Sequence, residues 1–281
     1  MLLLKIIYGI VLGIVQGISE WLPISSKTQI MIASTILFKF PLKQAYALGL
    51  FLEAGTVLAA IIYFRKEVVG LIRALLGRGT PDYNKLLRYM VIATIITGII
   101  GVVIYKYIEN NISGSTLGIP MAILGILLIV DGILVRNSSK KTTATKQLHQ
   151  MRPIEMAVVG IVQGISALPG ISRSGATVSA LLFMGFKPDE AFRLSFIVGI
   201  PAVIGATIVT ILFSSTPITT TLSAVGYSTI AVAIVVSFIV SMFLIDILIR
   251  FAGKSAVTKL VFLLGIIAIA SGIITAVTGL G

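Results

Sequence analysis

Gly13-Ile14-Val15-Gln16-Gly17-Ile18-Ser19 recurs unchanged as Gly160-Ile161-Val162-Gln163-Gly164-Ile165-Ser166, 147 residues further along the chain. The first copy continues as Glu20-Trp21-Leu22-Pro23-Ile24-Ser25-Ser26-Lys27-Thr28. The second continues as Ala167-Leu168-Pro169-Gly170-Ile171-Ser172-Arg173-Ser174-Gly175-Ala176-Thr177. Each copy has a proline and a cluster of hydroxyls, but the first adds a carboxylate where the second adds a guanidinium. The repeat therefore predicts that Glu20 and Arg173 meet in one composite polar site.

The composition around these motifs is that of a membrane protein. Of the 281 residues, 57% are hydrophobic and 11% are charged, and the mean hydropathy is +1.09. Apolar runs of this length indicate transmembrane helices and exclude a water-soluble domain. Because there is no cysteine and one histidine, His149, the chain has no thiol chemistry, no disulfide and no His/Cys metal cluster.

The net charge of +12 is carried mainly by short loops. Lysine and arginine in such loops set membrane orientation and contact anionic lipid headgroups. We therefore expect the lipid bilayer as a partner and no nucleic acid.

The apolar sequence predicts an all-α integral membrane fold. Six segments have the length of a membrane span: Leu42–Tyr63, Tyr89–Tyr107, Leu117–Val135, Ala191–Phe213, Tyr227–Ile249 and Leu260–Leu280. Two further stretches, Leu2–Phe38 and Ile154–Phe186, are interrupted by proline and polar residues near their middles. Each half of these stretches looks too short or too broken to span, so we expect two re-entrant helical hairpins.

Loop charge gives the orientation. Arg65–Arg88 carries six Lys/Arg residues and Arg136–Arg152 carries five, whereas Glu109–Thr116 and Ser214–Gly226 carry none. Basic loops are cytoplasmic, so the first hairpin enters from outside and the second from inside. The prediction is one membrane domain, 1–281, built as an inverted-topology repeat with halves at approximately 1–136 and 153–281, joined by the cytoplasmic loop 136–152.

The residue types in the motifs suit a phosphate group. Helices that restart after a proline offer free N–H groups to an anion, and serines at Ser25-Ser26 and Ser172–Ser174 add hydroxyl donors. Arg173 provides a planar fork of donors, Lys27 adds a second cation, and Thr177 adds another hydroxyl. Two cations indicate a group with more than one negative charge, held at membrane depth, such as a lipid phosphate or diphosphate.

Glu20 calls for a different role, because a carboxylate repels phosphate. It is a candidate general base, or a ligand to a divalent cation that bridges the phosphates, with Gln16 on the same helical face. Glu53, in the middle of a predicted span, is a second candidate cation ligand or a partner for Lys27. The alternatives are a structural ion pair for Glu20 and Arg173, and helix packing for the glycines of the repeat.

At this point the sequence resembles a known family, the undecaprenyl-diphosphate phosphatases, also called the bacitracin-resistance or BacA family. Its first signature is matched by Gln16 and Glu20 with Pro23-Ile24-Ser25-Ser26, and its second by Pro169-Gly170-Ile171-Ser172-Arg173-Ser174-Gly175-Ala176-Thr177. The resemblance covers essentially the whole chain. It implies a multi-pass cell-membrane phosphatase with an outward-facing site, which releases phosphate from a polyprenyl diphosphate and so recycles a glycan carrier lipid. It also implies a divalent cation, magnesium or calcium.

Carried over position by position, the resemblance assigns Gln16, Glu20, Ser25 and Ser26 from the first motif, and Ser172, Arg173, Ser174 and Thr177 from the second. We expect Glu20, Gln16, Arg173 and Ser26 to be catalytic, and Ser25, Lys27, Ser172, Ser174 and Thr177 to bind substrate. Water attacks the terminal phosphorus in this scheme, with Ser26 as the alternative nucleophile.

One position departs from the family pattern. Gln29 stands where the family has a histidine, and glutamine cannot shuttle a proton. We expect Lys27 to supply the positive charge, and Glu20 or a metal-bound water to handle the proton. The carrier lipid is of undecaprenyl or dolichyl type.

Two rival functions stay open from the sequence. One is a flippase for polyprenyl phosphate, since inverted repeats and midplane sites are typical of transporters. The other is an ion-coupled permease for a small anion. The oligomeric state is also open, and a homodimer is compatible with the sequence.

Overall fold

A computed structural model describes residues 2–111, 145–168, 170–213 and 218–250, together with the single helical residues 126 and 133. In these ranges the chain is helical, with no strand beyond one isolated backbone bridge. Four of the six predicted spans lie in long helices, which confirms the all-α membrane class. The other two, at 117–135 apart from those single residues and at 260–280, lie outside the described residues.

The first half of the chain contributes helices that we label in order. They are α1 (Leu2–Ser19), α2 (Ser26–Phe38), α3 (Leu42–Tyr63), α4 (Arg65–Leu75) and α5 (Pro81–Asn111). The second half contributes α6 (Pro153–Ile165), α7 (Arg173–Phe183), α8 (Pro188–Phe213), α9 (Ile218–Val225) and α10 (Tyr227–Arg250).

Five of these helices are long and apolar enough to cross a membrane: α1, the Gln44–Tyr63 part of α3, the Pro81–Ile108 part of α5, α8 and α10. The inclusion of α1 corrects the expectation that each leg of the first hairpin is too short to span. Its 18 residues stay helical to Ser19, because the first proline comes only at Pro23. Its counterpart α6 has 13 residues, since Pro153 starts it later.

Two segments predicted as loops contain helices. Within Arg65–Arg88, α4 buries Gly70 and Ala74 while Arg65, Lys66 and Arg73 stay exposed. Charged residues hide this amphipathic period from a search for apolar runs. Within Ser214–Gly226, the short helix α9 occupies Ile218–Val225.

The repeated glycines pack equivalent helix pairs, α1 with α10 and α6 with α5. A Cβ added at Gly13 would lie 2.7 Å from the carbonyl oxygen of Ala233, and one added at Gly160 would lie 2.7 Å from that of Ala93. The packing interpretation of these glycines is therefore confirmed. In each case the helix that carries the repeat packs against a helix from the other half of the chain.

This packing brings the two helix breaks together in the centre of the molecule. The chain leaves helical conformation after Ser19 and after Ile165, and helix resumes at Ser26 and Arg173. Trp21 of the first break packs edge-on against Phe196 of α8, with ring centroids 4.9 Å apart, inside the largest apolar cluster of the described residues. The polar residues of both motifs are thus surrounded by core rather than by lipid.

Candidate active site

The two breaks bind each other through backbone groups. The Gly170 N–H donates to the Thr28 hydroxyl at 2.9 Å, and the Ser174 hydroxyl donates to the Leu22 carbonyl at 3.0 Å. Irregular backbone at membrane depth needs such partners, since each unpaired group costs several kcal/mol. The contacts lock the two loops into one unit.

The centre of this unit is an ion pair between the two halves of the chain. Arg173 Nη2 donates to Glu20 Oε1 at 2.6 Å, and the two side chains are 10% and 3% exposed. The other carboxylate oxygen, Oε2, accepts from the Ser26 hydroxyl at 2.6 Å and from Gln16 Nε2 at 3.0 Å. The structure therefore brings together all four residues predicted to be catalytic.

Neighbouring groups fix the position of Arg173. Its guanidinium lies 6.0 Å from the centroid of the Trp21 ring, in cation–π range. Gly199 of α8 lies directly against the guanidinium, and a Cβ there would overlap it. Position 199 therefore requires a glycine, because the guanidinium approaches the backbone too closely for any side chain.

A cavity of about 150 Å³ begins beside the ion pair. Arg173, Lys27 and Glu53 contribute its charged lining. Lys27 and Glu53 are buried, and among the described residues neither side chain has a hydrogen bond or ion pair. Two ionisable side chains without a hydrogen bond, beside an arginine, leave the cavity able to take a charged ligand.

One side of the cavity lies between α5 and α8 and includes several small apolar residues. They include Gly98, Gly101, Gly205 and Ala206. A Cβ added at Gly98 or Gly205 would meet nothing within 4 Å, and Gly98 is exposed. The cavity therefore has an apolar side that reaches the outer surface of the helices.

The hydroxyls predicted to bind substrate lie beside the ion pair but bond to the protein. Ser172 and Ser174 both donate to the Leu22 carbonyl, and Thr177 donates to the Arg173 carbonyl at 2.8 Å. Ser172 also caps α7 by accepting from the Gly175 N–H at 3.1 Å.

The other polar residues of the first motif are likewise engaged. Ser25, with a left-handed φ of 54°, shares a hydrogen bond with Thr28 at 3.0 Å. Gln29 donates to the Ile24 carbonyl at 3.1 Å. The left-handed conformation of Ser25 is strained for a non-glycine residue, and such residues concentrate at functional sites.

Sequence reasoning missed several residues around the ion pair and the cavity. Thr28 lay inside the first motif, and Gln163 is the repeat counterpart of Gln16, so both left a signal. Thr94 and Gly199 left none, because single small residues inside long apolar spans look like ordinary packing positions.

The comparisons with known proteins give the family of the chain. Residues 9–272 match the family described as bacitracin resistance protein BacA. A protein named undecaprenyl-diphosphatase from Saccharolobus solfataricus is 49% identical over 272 residues, 96% of each chain. Proteins of the same name from Sulfurisphaera tokodaii and Pyrobaculum islandicum are 46% and 40% identical; the alignments cover 95% and 94% of this chain, and 97% and 96% of theirs. The chain is therefore a member of the bacitracin resistance protein BacA family.

Proposed function

We propose that this protein is a membrane phosphatase that hydrolyses a polyprenyl diphosphate, of undecaprenyl or dolichyl type, to the monophosphate and inorganic phosphate. The reaction regenerates a glycan carrier lipid. The observation that carries the proposal is the buried Glu20–Arg173 pair at the head of a cavity with an apolar side. The relatives' name, undecaprenyl-diphosphatase, supports the same reaction.

The terminal phosphate binds at the charged end of the cavity. One guanidinium nitrogen of Arg173 bonds Glu20, and the remaining N–H groups of the fork are available to phosphate oxygens. The Lys27 ammonium lines the same cavity and adds a second positive charge. Fixed cations in a dry site stabilise the charge that develops on a phosphoryl group during transfer.

Glu20 is the base of the reaction. Water attacks the terminal phosphorus, Glu20 takes the proton, and the bond from that phosphorus to the bridging oxygen breaks, leaving the lipid monophosphate. The Ser26 hydroxyl already donates to this carboxylate at 2.6 Å, which is the geometry of an activated nucleophile, so Ser26 is the alternative attacking group. Gln16 holds the carboxylate in place from its other side.

A divalent cation, magnesium or calcium, fits this donor set. Among the described residues there is no group of three or more acidic or histidine side chains that would cage a metal. Magnesium is commonly held by one or two carboxylates together with substrate phosphates. Glu53 and Glu20 are the carboxylates that would hold it, and when bound it neutralises charge on the phosphate oxygens.

The lipid tail leaves the cavity between α5 and α8. The exposed Gly98 and the open space at Gly205 give an isoprenoid chain a path from the charged end to the bilayer. A small soluble anion has no apolar group that could bind to such an apolar side. This argues against the small-anion permease.

For the topology we propose the inverted repeat, with the basic segments cytoplasmic and the site facing outward. The equivalent packing of Gly13 and Gly160 supports the repeat, and the loop charges support the orientation. Because the chain has no cysteine, single cysteines placed at Arg78 and at Asn110 test the orientation by labelling with an impermeant maleimide. Labelling of position 78 from outside would refute this orientation. A homodimer stays a prediction, and the mass of the protein particle in detergent would check it.

The function is tested by phosphate release from a polyprenyl diphosphate in detergent. We expect the purified protein to release phosphate and a chelator to suppress the release. A flippase for polyprenyl phosphate is the second candidate, favoured by the repeat and by Gln29 in place of histidine. Lipid transfer in vesicles without phosphate release in detergent would establish the flippase and refute the phosphatase.

A further inference from the structure

A second polar cluster lines the cavity, apart from the charged residues. It consists of Thr94 and Thr97 on α5 and Gln163 on α6. The Thr94 hydroxyl and the Gln163 amide oxygen are buried and have no hydrogen-bond partner in the described part of the chain. Gln163 itself is 2% exposed. A buried polar atom without a partner costs about 1–3 kcal/mol, so two of them on one cavity wall indicate a site for a polar ligand.

The repeat explains why Gln163 is available. Its counterpart Gln16 gives its amide to Glu20, but Ala167 occupies the position equivalent to Glu20 in the second half. Gln163 therefore donates to the Thr97 hydroxyl instead, at 3.0 Å, and its other amide atom has no partner among the residues that the structure describes.

As the amide stands, the Thr97 hydroxyl accepts from it and donates to the Gly160 carbonyl at 3.1 Å. When the amide is turned by half a rotation, the Thr97 hydroxyl donates to the amide oxygen instead of to Gly160, and the NH₂ group becomes free for a ligand. Together with the Thr94 hydroxyl, the wall then offers two neutral donors. Neutral donors suit an anion of lower charge than the one beside Arg173 and Lys27.

The position along α5 identifies that anion. Thr94, Thr97, Gly98 and Gly101 follow the spacing of one helix face, and all four line the cavity. Along α5, the two threonines therefore come immediately before the two glycines, and these glycines border the path of the lipid tail. The group that joins a diphosphate to its tail is the proximal phosphate.

We propose that Thr94 and Gln163 bind the proximal phosphate, the one that stays on the lipid, while Arg173 and Lys27 bind the terminal phosphate. The proposal rests on the proposed function, because it needs a lipid diphosphate in the cavity. It gives the site two unequal subsites, which fix the direction of the substrate and thereby the phosphate that is released.

Thr94→Val tests this proposal cleanly, because the change is isosteric and the hydroxyl bonds nothing in the described protein. The readout is ligand-induced thermal stabilisation in detergent, titrated separately with a prenyl monophosphate and with inorganic phosphate. We expect the apparent Kd for the prenyl monophosphate to rise on the order of tenfold, as for a lost hydrogen bond to a charged group. The apparent Kd for inorganic phosphate should not change.

Gln163→Glu is the second variant, since its carboxylate can accept from the Thr97 hydroxyl and places a negative charge against the phosphate. We expect it to weaken prenyl monophosphate binding further than Thr94→Val. The matched control is Thr229→Val on α10, whose buried hydroxyl also lacks a partner within the described ranges but does not line the cavity. It should bind both ligands as the wild type does.

Wild-type affinity of Thr94→Val for the prenyl monophosphate would overturn the proposal. So would a loss confined to inorganic phosphate, which would assign the wall to the released product. These are binding measurements, so they stay separate from the proposed reaction. A wild-type protein that binds the monophosphate but never releases phosphate refutes the phosphatase, whereas an active wild type with indifferent Thr94 and Gln163 variants refutes only the subsite.

Discussion

Breaking the Glu20–Arg173 pair from one side should destabilise the protein more than removing both charges. In Arg173→Met, the Glu20 carboxylate keeps only the Ser26 and Gln16 donors while it remains 3% exposed. Removing one partner of a buried ion pair costs about 3–5 kcal/mol, because the other charge is left uncompensated. Replacing both partners by neutral groups of similar size is often close to neutral.

The experiment is a double-mutant cycle with Glu20→Gln, Arg173→Met and the double variant. At roughly 2–4 °C per kcal/mol, each single variant should unfold on the order of 10 °C below the wild type, and the double variant should recover most of that loss. Unfolding in detergent can be followed by the emission of Trp21, the only tryptophan, whose ring lies 6.0 Å from the guanidinium carbon.

The control pair is Arg250–Asp246, at 2.8 Å but with side chains 72% and 35% exposed. Exposed pairs contribute about 0–1 kcal/mol, so Arg250→Met should barely move the transition. If the Glu20 and Arg173 single variants unfold like the Arg250 variant, with no coupling in the cycle, the account of a buried pair is refuted.

Three further predictions concern the cavity. Gly199→Ala should displace the Arg173 guanidinium and lower phosphate release by up to about 100-fold while the protein stays folded, because small misplacements of a catalytic group are costly; activity and Trp21 emission check this. Gly98→Phe should lower kcat/KM for a long polyprenyl diphosphate but spare a short-chain one, whereas Ile99→Phe, on a position that is 64% exposed, should affect neither. Glu53→Gln should raise the magnesium concentration for half-maximal activity by at least about tenfold, and an unchanged magnesium titration would remove Glu53 from the metal site.

The juxtaposition of Glu20 and Arg173 was accessible from sequence because the repeat imposes it. Identical helices lead into both breaks, and glycines at equivalent positions set equivalent packing distances. Opposite charges at such breaks are expected to pair, because an unpaired charge exposed to lipid is energetically costly.

The local hydrogen bonds were not accessible in the same way. Ser172 and Ser174 were expected at the phosphate, yet their hydroxyls bond the Leu22 carbonyl, because a broken backbone must be satisfied before a ligand arrives. The full length of α1 and the presence of helix α4 were not predicted, for related reasons. Apolar periodicity indicates neither how far packing extends a helix nor which charged segment lies against a core.

The most direct test of the central claim is phosphate release from a polyprenyl diphosphate by purified protein in detergent, with wild type, Arg173→Met and Arg250→Met measured side by side. We predict wild-type rates for Arg250→Met, and a loss on the order of 10²–10³-fold or more for Arg173→Met, as for removal of a transition-state donor. An Arg173→Met protein that releases phosphate as fast as the wild type would contradict the account.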